Sequence, residues 1–194
     1  MAKLQDIIQW CDQTLKSTEF KDYAPNGLQI EGKTEVRKIL AAVTASQDAI
    51  DAAIRENADL LLVHHGYFWK GEAYPITGMR GKRIKSLIQH DISLLAYHLP
   101  LDSHPSLGNN AAIADLLKLE RIEALDPSER HPIGNIGYLN QPMPVEDFKK
   151  FVSETLKFDV THLPADKTMI EKVGFCTGGA QDFIVKAAEQ GCDA

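Results

Sequence analysis

The sequence predicts an α/β protein made of two similar α/β domains from an internal duplication. Three observations predict it. Short apolar runs bounded by turn residues alternate with stretches of helical period. The clearest runs follow β-α-β order, which implies a parallel strand pair with a right-handed crossover. A segment near the C-terminus also repeats one that begins at Lys38, at a fixed offset.

Taken in order, Leu4, Ile7, Ile8, Cys11 and Leu15 fall on one face of a helix over residues 3–16. Tyr23-Ala24-Pro25-Asn26-Gly27 reads as a turn, and Leu28–Ile30 as a short extended piece. Residues 39–43 read as a strand. A helix over about 46–57 follows, with Ser46 as its N-cap, and leads into a strand at Leu60-Leu61-Leu62-Val63-His64-His65. A helix over 80–90 feeds the strand 92–98, and Gly108-Asn109-Asn110 opens a helix through Leu117. The polar, Pro-bearing stretch 126–132 marks a domain boundary, giving domains 1–126 and 127–194. Beyond it come a strand from Ile136, a helix from about Pro144 to Leu156, a strand at 173–176 and a helix over 181–190.

The repeat sets Lys38-Ile39 on Lys172-Val173, an offset of 134 positions. Without a gap, Gln47-Asp48 then falls on Gln181-Asp182, Ile50 on Ile184, Ala53 on Ala187 and Asp59 on Asp193. Both segments read strand, turn, helix, then the start of another strand. In the first copy that strand carries His64 and His65, whereas one residue follows Asp193. The second domain is therefore expected to be incomplete, with a C-terminal part of the natural protein lacking and its sheet edge open.

Bulk properties narrow the function classes. A chain of 194 residues with 44% hydrophobic and 25% charged residues can bury a sizeable core. A net charge of −6 argues against general nucleic-acid binding. The one basic cluster, Arg80, Lys82, Arg83 and Lys85, reads as a solvated helix face. Three cysteines without metal-type spacing suggest a reducing compartment. The start, Met1-Ala2-Lys3, opens an amphipathic helix and not a signal peptide, and no apolar run is long enough to span a bilayer. A cytoplasmic location is expected.

Two strands end in chemistry. His64-His65-Gly66 closes one, and His98-Leu99-Pro100-Leu101-Asp102 comes after the other. In open α/β sheets ligands bind beyond the carboxyl ends of strands, and imidazole with carboxylate suits zinc, iron, manganese and nickel alike. Adjacent strand residues face opposite ways, so His64 and His65 reach one cavity only if the backbone turns there; Gly66 permits that. Two ions sharing such a cavity would activate water and clamp an oxyanion. His98 reads as ligand, orienting residue or general acid/base, with catalysis its leading assignment. His104 is a weaker candidate. His90 caps a helix end, and His131 and His162 read as exposed loop residues. Tyr67, Phe68 and Trp69 read equally as cavity wall or core. Thr177-Gly178-Gly179-Ala180 offers backbone N–H groups at a helix start but lacks a Walker lysine.

The segments Asn26–Gln29, Leu62–Gly66, Thr77–Gly81, Ala96–His98 with Leu101-Asp102, Gly108–Asn110 and Gly174–Gly179 resemble those of the Nif-three-like proteins. This family is also called the dinuclear metal-centre proteins, or GTP cyclohydrolase 1 type 2 homologues. The resemblance covers essentially the whole chain. It implies two α/β/α-layered domains and a ring-shaped homohexamer with metal sites facing an inner cavity. It implies that His65 and Asp102 hold one divalent ion and His64 the other. The family adds a histidine and a bridging glutamate from a C-terminal H-x-x-x-E helix, which this chain does not contain, so an incomplete two-ion site is expected. The function implied is a metal-dependent hydrolase acting on a small, nucleotide-like substrate. The alternative is a non-enzymatic metal-binding scaffold or regulatory protein whose ring cavity admits a ligand or nucleic acid.

Overall fold

The computed structural model describes residues 1–194. Packing divides the chain into two compact units, Met1–Leu101 and Asp102–Ala194. The boundary read from the sequence lies near 126. By packing, the helix and strand before it go with the second unit, because Ala114, Leu117 and Leu119 share its core with Leu139, Ile170 and Val173.

The first unit runs β1 (Ala2–Lys3), α1 (Leu4–Leu15), a 3₁₀ turn (Ser17–Glu19), β2 (Gly27–Ile30), β3 (Glu35–Val36), β4 (Ile39–Thr44), α2 (Gln47–Arg55), β5 (Leu60–His65), α3 (Gly78–Gln89) and β6 (Ser93–Ala96), then enters α4 (Leu99–Asp102). Its main sheet has the order β2-β6-β5-β4. β4 and β6 both run parallel to β5, while β2 is antiparallel to β6. The expected parallel β-α-β pair is β4-α2-β5. Ser46 caps α2 as expected, its Oγ accepting from the Ala49 N–H at 3.2 Å. β1 and β3 form a separate antiparallel pair.

The central strands are buried on both faces, which is why they read as continuous apolar runs. Leu61, Val63, Leu94 and Ala96 pack with Ile50 and Ala53 of α2 and with Ile84 and Leu87 of α3. Leu60, Leu95 and Tyr97 pack on the other side with Leu4 and Cys11 of α1. The unit is thus an α/β/α sandwich, and the tips of β5 and β6 present the polar residues just beyond their apolar segments.

The second unit runs α5 (Asn109–Leu116), β7 (Glu120–Ala124), β8 (Asn135–Pro144), α6 (Val145–Leu156), β9 (Met169–Phe175) and α7 (Phe183–Glu189). Its sheet is antiparallel, in the order β7-β8-β9. α5 and α6 supply the helical side of its core. No helix of the chain is long and apolar enough to cross a membrane.

The duplication is visible atom by atom. Asp59 Oδ1 accepts from Lys33 Nζ at 2.8 Å, and its Oδ2 accepts from the N–H groups of Arg37 (2.9 Å) and Lys38 (3.3 Å). Asp193 Oδ1 accepts from Lys167 Nζ at 2.7 Å, and its Oδ2 accepts from the N–H groups of Glu171 (3.2 Å) and Lys172 (3.0 Å). Every partner is shifted by the same 134 positions. The backbone matches as well: the Asp59 and Leu60 N–H groups donate to Lys38 O, and those of Asp193 and Ala194 to Lys172 O.

Candidate metal centre

His64 and His65 are the last two residues of β5. Regular strand alternation would part their rings, yet the ring centroids lie 4.4 Å apart. The turn after β5 is tight because residue 66 has no Cβ. A Cβ there would collide with the Gln29 side chain and with Ala96 Cβ at 2.7 Å. Gln29 fills that space and holds the turn, its Oε1 accepting from the Tyr67 N–H at 2.7 Å.

His98 lies just past β6 and joins the pair. Its ring centroid stands 5.0 Å from His64 and 5.6 Å from His65. One potential ligand atom from each of the three imidazoles lies within 4.8 Å of the others. A tetrahedral ion with bonds of 2.0–2.1 Å separates its donors by roughly 3.4 Å, so the three imidazoles are close enough together to be candidate donors to one ion. All three residues are half-buried.

The ring tautomers are partly determined by their partners. His64 Nδ1 lies 2.9 Å from Tyr97 O. A carbonyl only accepts, so the neutral His64 ring carries its proton on Nδ1 and its lone pair on Nε2. His65 Nδ1 is 3.2 Å from Thr44 Oγ1, a hydroxyl that serves as donor or acceptor. His98 Nδ1 is 2.7 Å from Asp22 Oδ1, and the His98 N–H donates to Asn26 Oδ1 at 2.7 Å. Burial alone would raise the Asp22 pKa. Hydrogen bonds from His98, Asn26 and the N–H groups of Leu99 and Tyr23 outweigh that and hold it down to about 2.

Trp69 walls the cluster. Its ring meets His98 edge-on, centroids 4.9 Å apart at 80°, and its Nε1 donates to Gly66 O. The aromatic triplet divides by role: Tyr67 is core, its hydroxyl donating to Ala45 O at 2.7 Å. Phe68 adopts a left-handed backbone, φ 66°. It lines an open cleft of about 510 Å³ with Phe20, Asp22, Tyr23 and Asn26.

Asp102 ends α4 and opens the second unit, buried at 5% exposure. Its Oδ1 accepts from Asn109 Nδ2 at 2.7 Å and from Thr177 Oγ1 at 3.3 Å. Asn110 completes the arrangement, its Oδ1 accepting from the Thr177 N–H at 2.8 Å. The Gly108–Asn110 and Cys176–Gly179 segments therefore converge on this carboxylate. The Thr177 N–H, read from sequence as part of an anion cradle, is committed to Asn110.

Two further histidines differ from expectation: His131 and His162 are half-buried, each on the lining of a cavity of the second unit, the first shared with Arg130 and Asn135, the second with Phe148 and Leu163. His90 closes α3, with Nδ1 2.9 Å from Ser86 O. Sequence reasoning missed Asp22 and Gln29 as supports of the histidine cluster, and read Thr177 as a backbone donor to an anion and not as a partner of Asp102. Their partners lie 76, 38 and 75 positions away, so no local pattern points to them.

Comparison with known proteins bears on the chain as a whole. The family model for Duf34/NIF3 (NGG1p interacting factor 3) matches residues 2–194. A Haemophilus influenzae protein named GTP cyclohydrolase 1 type 2 homolog is 50% identical, the match covering 97% of this chain and 75% of that protein. A Vibrio cholerae protein of the same name is 49% identical over 94% of this chain and 73% of its own. Among solved structures, protein ybgI, described as of unknown function, superposes with a TM-score of 0.93 at 41% identity, covering 99% of this chain and 76% of that one. A Thermus thermophilus protein gives 0.84 at 29% identity, over 95% and 74%. The chain belongs to the Duf34/NIF3 family.

Proposed function

We propose that this protein binds divalent metal at the tips of β5 and β6 and uses it to hydrolyse a small, nucleotide-like substrate. The observation that carries the reading is the imidazole triplet: three histidine ligand atoms within 4.8 Å, one ring already pinned through Nδ1 by a backbone carbonyl. Orientation of a ligating histidine through its other nitrogen is the usual second half of a metal site. Imidazole donors suit zinc, iron, manganese and nickel.

In this reading His64 and His65 are ligands and Asp102 supplies the carboxylate, His65 and Asp102 serving one ion and His64 a second. A bound divalent ion contributes Lewis acidity, acidifying water and offsetting negative charge on a reacting oxygen. His98 is the third imidazole of the cluster: its Nε2 would either complete the ion's donor set or, left unbound, carry the proton from the attacking water to the leaving group. Asn109 and Thr177 hold the Asp102 carboxylate in place. The name borne by the Haemophilus and Vibrio relatives supports a nucleotide-like substrate. The same proposal includes a homo-oligomeric ring and a cytoplasmic place of work.

The test is metal content by elemental analysis beside a hydrolysis screen over nucleotides and phosphoesters. His64→Ala, His65→Ala and Asp102→Ala are each expected to lower bound metal, and Asp102→Ala to abolish metal-dependent turnover. Unchanged metal stoichiometry in His64→Ala and His65→Ala overturns the metal reading. Bound metal without turnover on any substrate class overturns the hydrolase in favour of a metal-binding scaffold.

A further inference from the structure

We propose that Asp22 is a positioning residue of this centre: its buried carboxylate fixes His98 as the Nδ1–H tautomer, so that Nε2 carries the lone pair used there. The proposal rests on the metal-centre reading for its purpose, but its structural content stands on its own. Asp22 belongs to the loop between the 3₁₀ turn and β2, 76 positions from His98 in sequence and four before Asn26.

The hydrogen bonds around Asp22 leave one consistent assignment. Its side chain is 2% exposed. Oδ1 accepts from the Tyr23 N–H at 2.6 Å and faces His98 Nδ1 at 2.7 Å. Oδ2 accepts from the Leu99 N–H and from Asn26 Nδ2, both at 2.9 Å. The amide of Asn26 cannot be turned round, because its Oδ1 accepts from the His98 N–H. Three of the four partners are therefore obligate donors, and both carboxylate oxygens already accept from a backbone N–H. An ionised carboxylate has no proton to give. The fourth partner, His98 Nδ1, must donate as well.

Two features separate this arrangement from ordinary packing. A buried carboxylate carries a desolvation cost that an amide in the same place would avoid. Asp22 and Asn26 also grip His98 at both its backbone and its ring, while Trp69 bounds the ring from another side. That combination sets the ring's rotation as well as its protonation. Carboxylate partners of site histidines typically change metal affinity 10- to 100-fold when removed.

The experiment uses the whole chain. Long-range ¹H–¹⁵N correlation spectra of the metal-free protein at alkaline pH read which ring nitrogen of His98 bears the proton. Wild type is expected to show Nδ1–H, and Asp22→Asn to show Nε2–H. Titration with Zn²⁺ alone is expected to give a 10- to 100-fold weaker Kd for Asp22→Asn, with a melting temperature that does not account for the loss. Asp22→Glu, which restores the carboxylate, is expected to recover part of the affinity. An Nε2–H tautomer of His98 in the wild type overturns the proposal without any variant having to fold. Wild-type Zn²⁺ affinity in Asp22→Asn, alongside lost affinity in His64→Ala, overturns it while leaving the metal reading intact. If His64→Ala and His65→Ala bind Zn²⁺ like wild type, the metal reading fails, and the tautomer spectra still decide whether Asp22 holds His98.

Discussion

Residues 33–60 and 167–194 fold the same way around equivalent carboxylates, Asp59 and Asp193, yet the helix each copy contains has a different standing. In the first copy Ile50 and Ala53 of α2 are fully buried against the sheet and α3. In the second, Ile184, the counterpart of Ile50, is 62% exposed, and α7 contributes no buried residue. The strands differ to match. Leu40 on β4 corresponds to Gly174 on β9, where a Cβ would stand only 2.9 Å from Ala187 Cβ. α7 thus approaches its strand closely through small residues, while α2 packs where the strand carries Leu40. The carboxylate clasp is architecture common to both copies. The candidate metal ligands belong to the strand beyond the clasp in the first copy, which is buried on both faces and ends in two histidines.

The largest contrast should appear in the helices. Ile50→Ala removes a fully buried side chain from a packed cluster and is expected to cost about 2–5 kcal/mol. Ile184→Ala is expected to cost less than about 0.5 kcal/mol, as for an exposed position. Hydrogen exchange followed separately over 39–65 and 169–194 checks both, since Trp10 and Trp69 lie in the first unit and fluorescence reads that unit alone. Equal losses would break the contrast and mean that α7 has a covered face in solution.

The same contrast explains what could be read in the sequence. β5 and β6 were legible because burial on both faces leaves an unbroken apolar run, and α1, α2 and α6 because one-sided burial leaves a helical period. β1 and β3 were not, being two-residue strands too short to show a period, with Val36 their one buried residue. β7 was missed because three of its five residues are charged, its register with β8 is broken, and Arg121 takes a left-handed backbone at φ 48°. Within the site, the histidines stood out by lying at strand ends. Asp22 did not, since nothing about an aspartate in a polar loop distinguishes a clamp from a solvated turn. The duplicated aspartate was visible as an aligned residue, but its three-pronged grip exists only in the folded backbone.

A second, smaller effect should separate the clasps. Asp59→Asn removes the charge from a carboxylate with three donors and a side chain 10% exposed; a cost of about 1–3 kcal/mol is expected. Asp193→Asn, at 17% exposure, is expected to cost less, about 1 kcal/mol. The hydrogen bond from Lys33 and then the Arg37 N–H hold the Asp59 carboxyl below its usual range, against burial. For Asp193 burial is opposed and outweighed by Lys167 and the backbone donors. A depressed folded pKa stabilises fully above the unfolded value, near 4, and that stabilisation is lost as pH falls through the folded one. Acid titrations of unfolding should therefore be shallower below about pH 4 in Asp59→Asn than in wild type. A slope identical to wild type would mean that the clasp, despite its geometry, is energetically idle.

The smallest difference lies at the start of the two helices. Ser46 precedes α2, and its Oγ accepts from the Ala49 N–H while its carbonyl accepts from Ile50 four residues on. Ala180 is its counterpart and has no side-chain acceptor. There the Phe183 N–H reaches Ala180 O and the Ile184 N–H reaches Gln181 O, the tighter three-residue spacing of a 3₁₀ turn. Loss of the cap in Ser46→Ala is expected to cost about 1 kcal/mol, read as a roughly fivefold drop in exchange protection over α2. Ala180→Ser offers Phe183 a second acceptor but competes with a carbonyl that already serves it, so the gain should be no more than about 0.5 kcal/mol. If that gain equals the loss at Ser46, then the missing hydroxyl alone, and not the close packing at Gly174, sets how α7 begins.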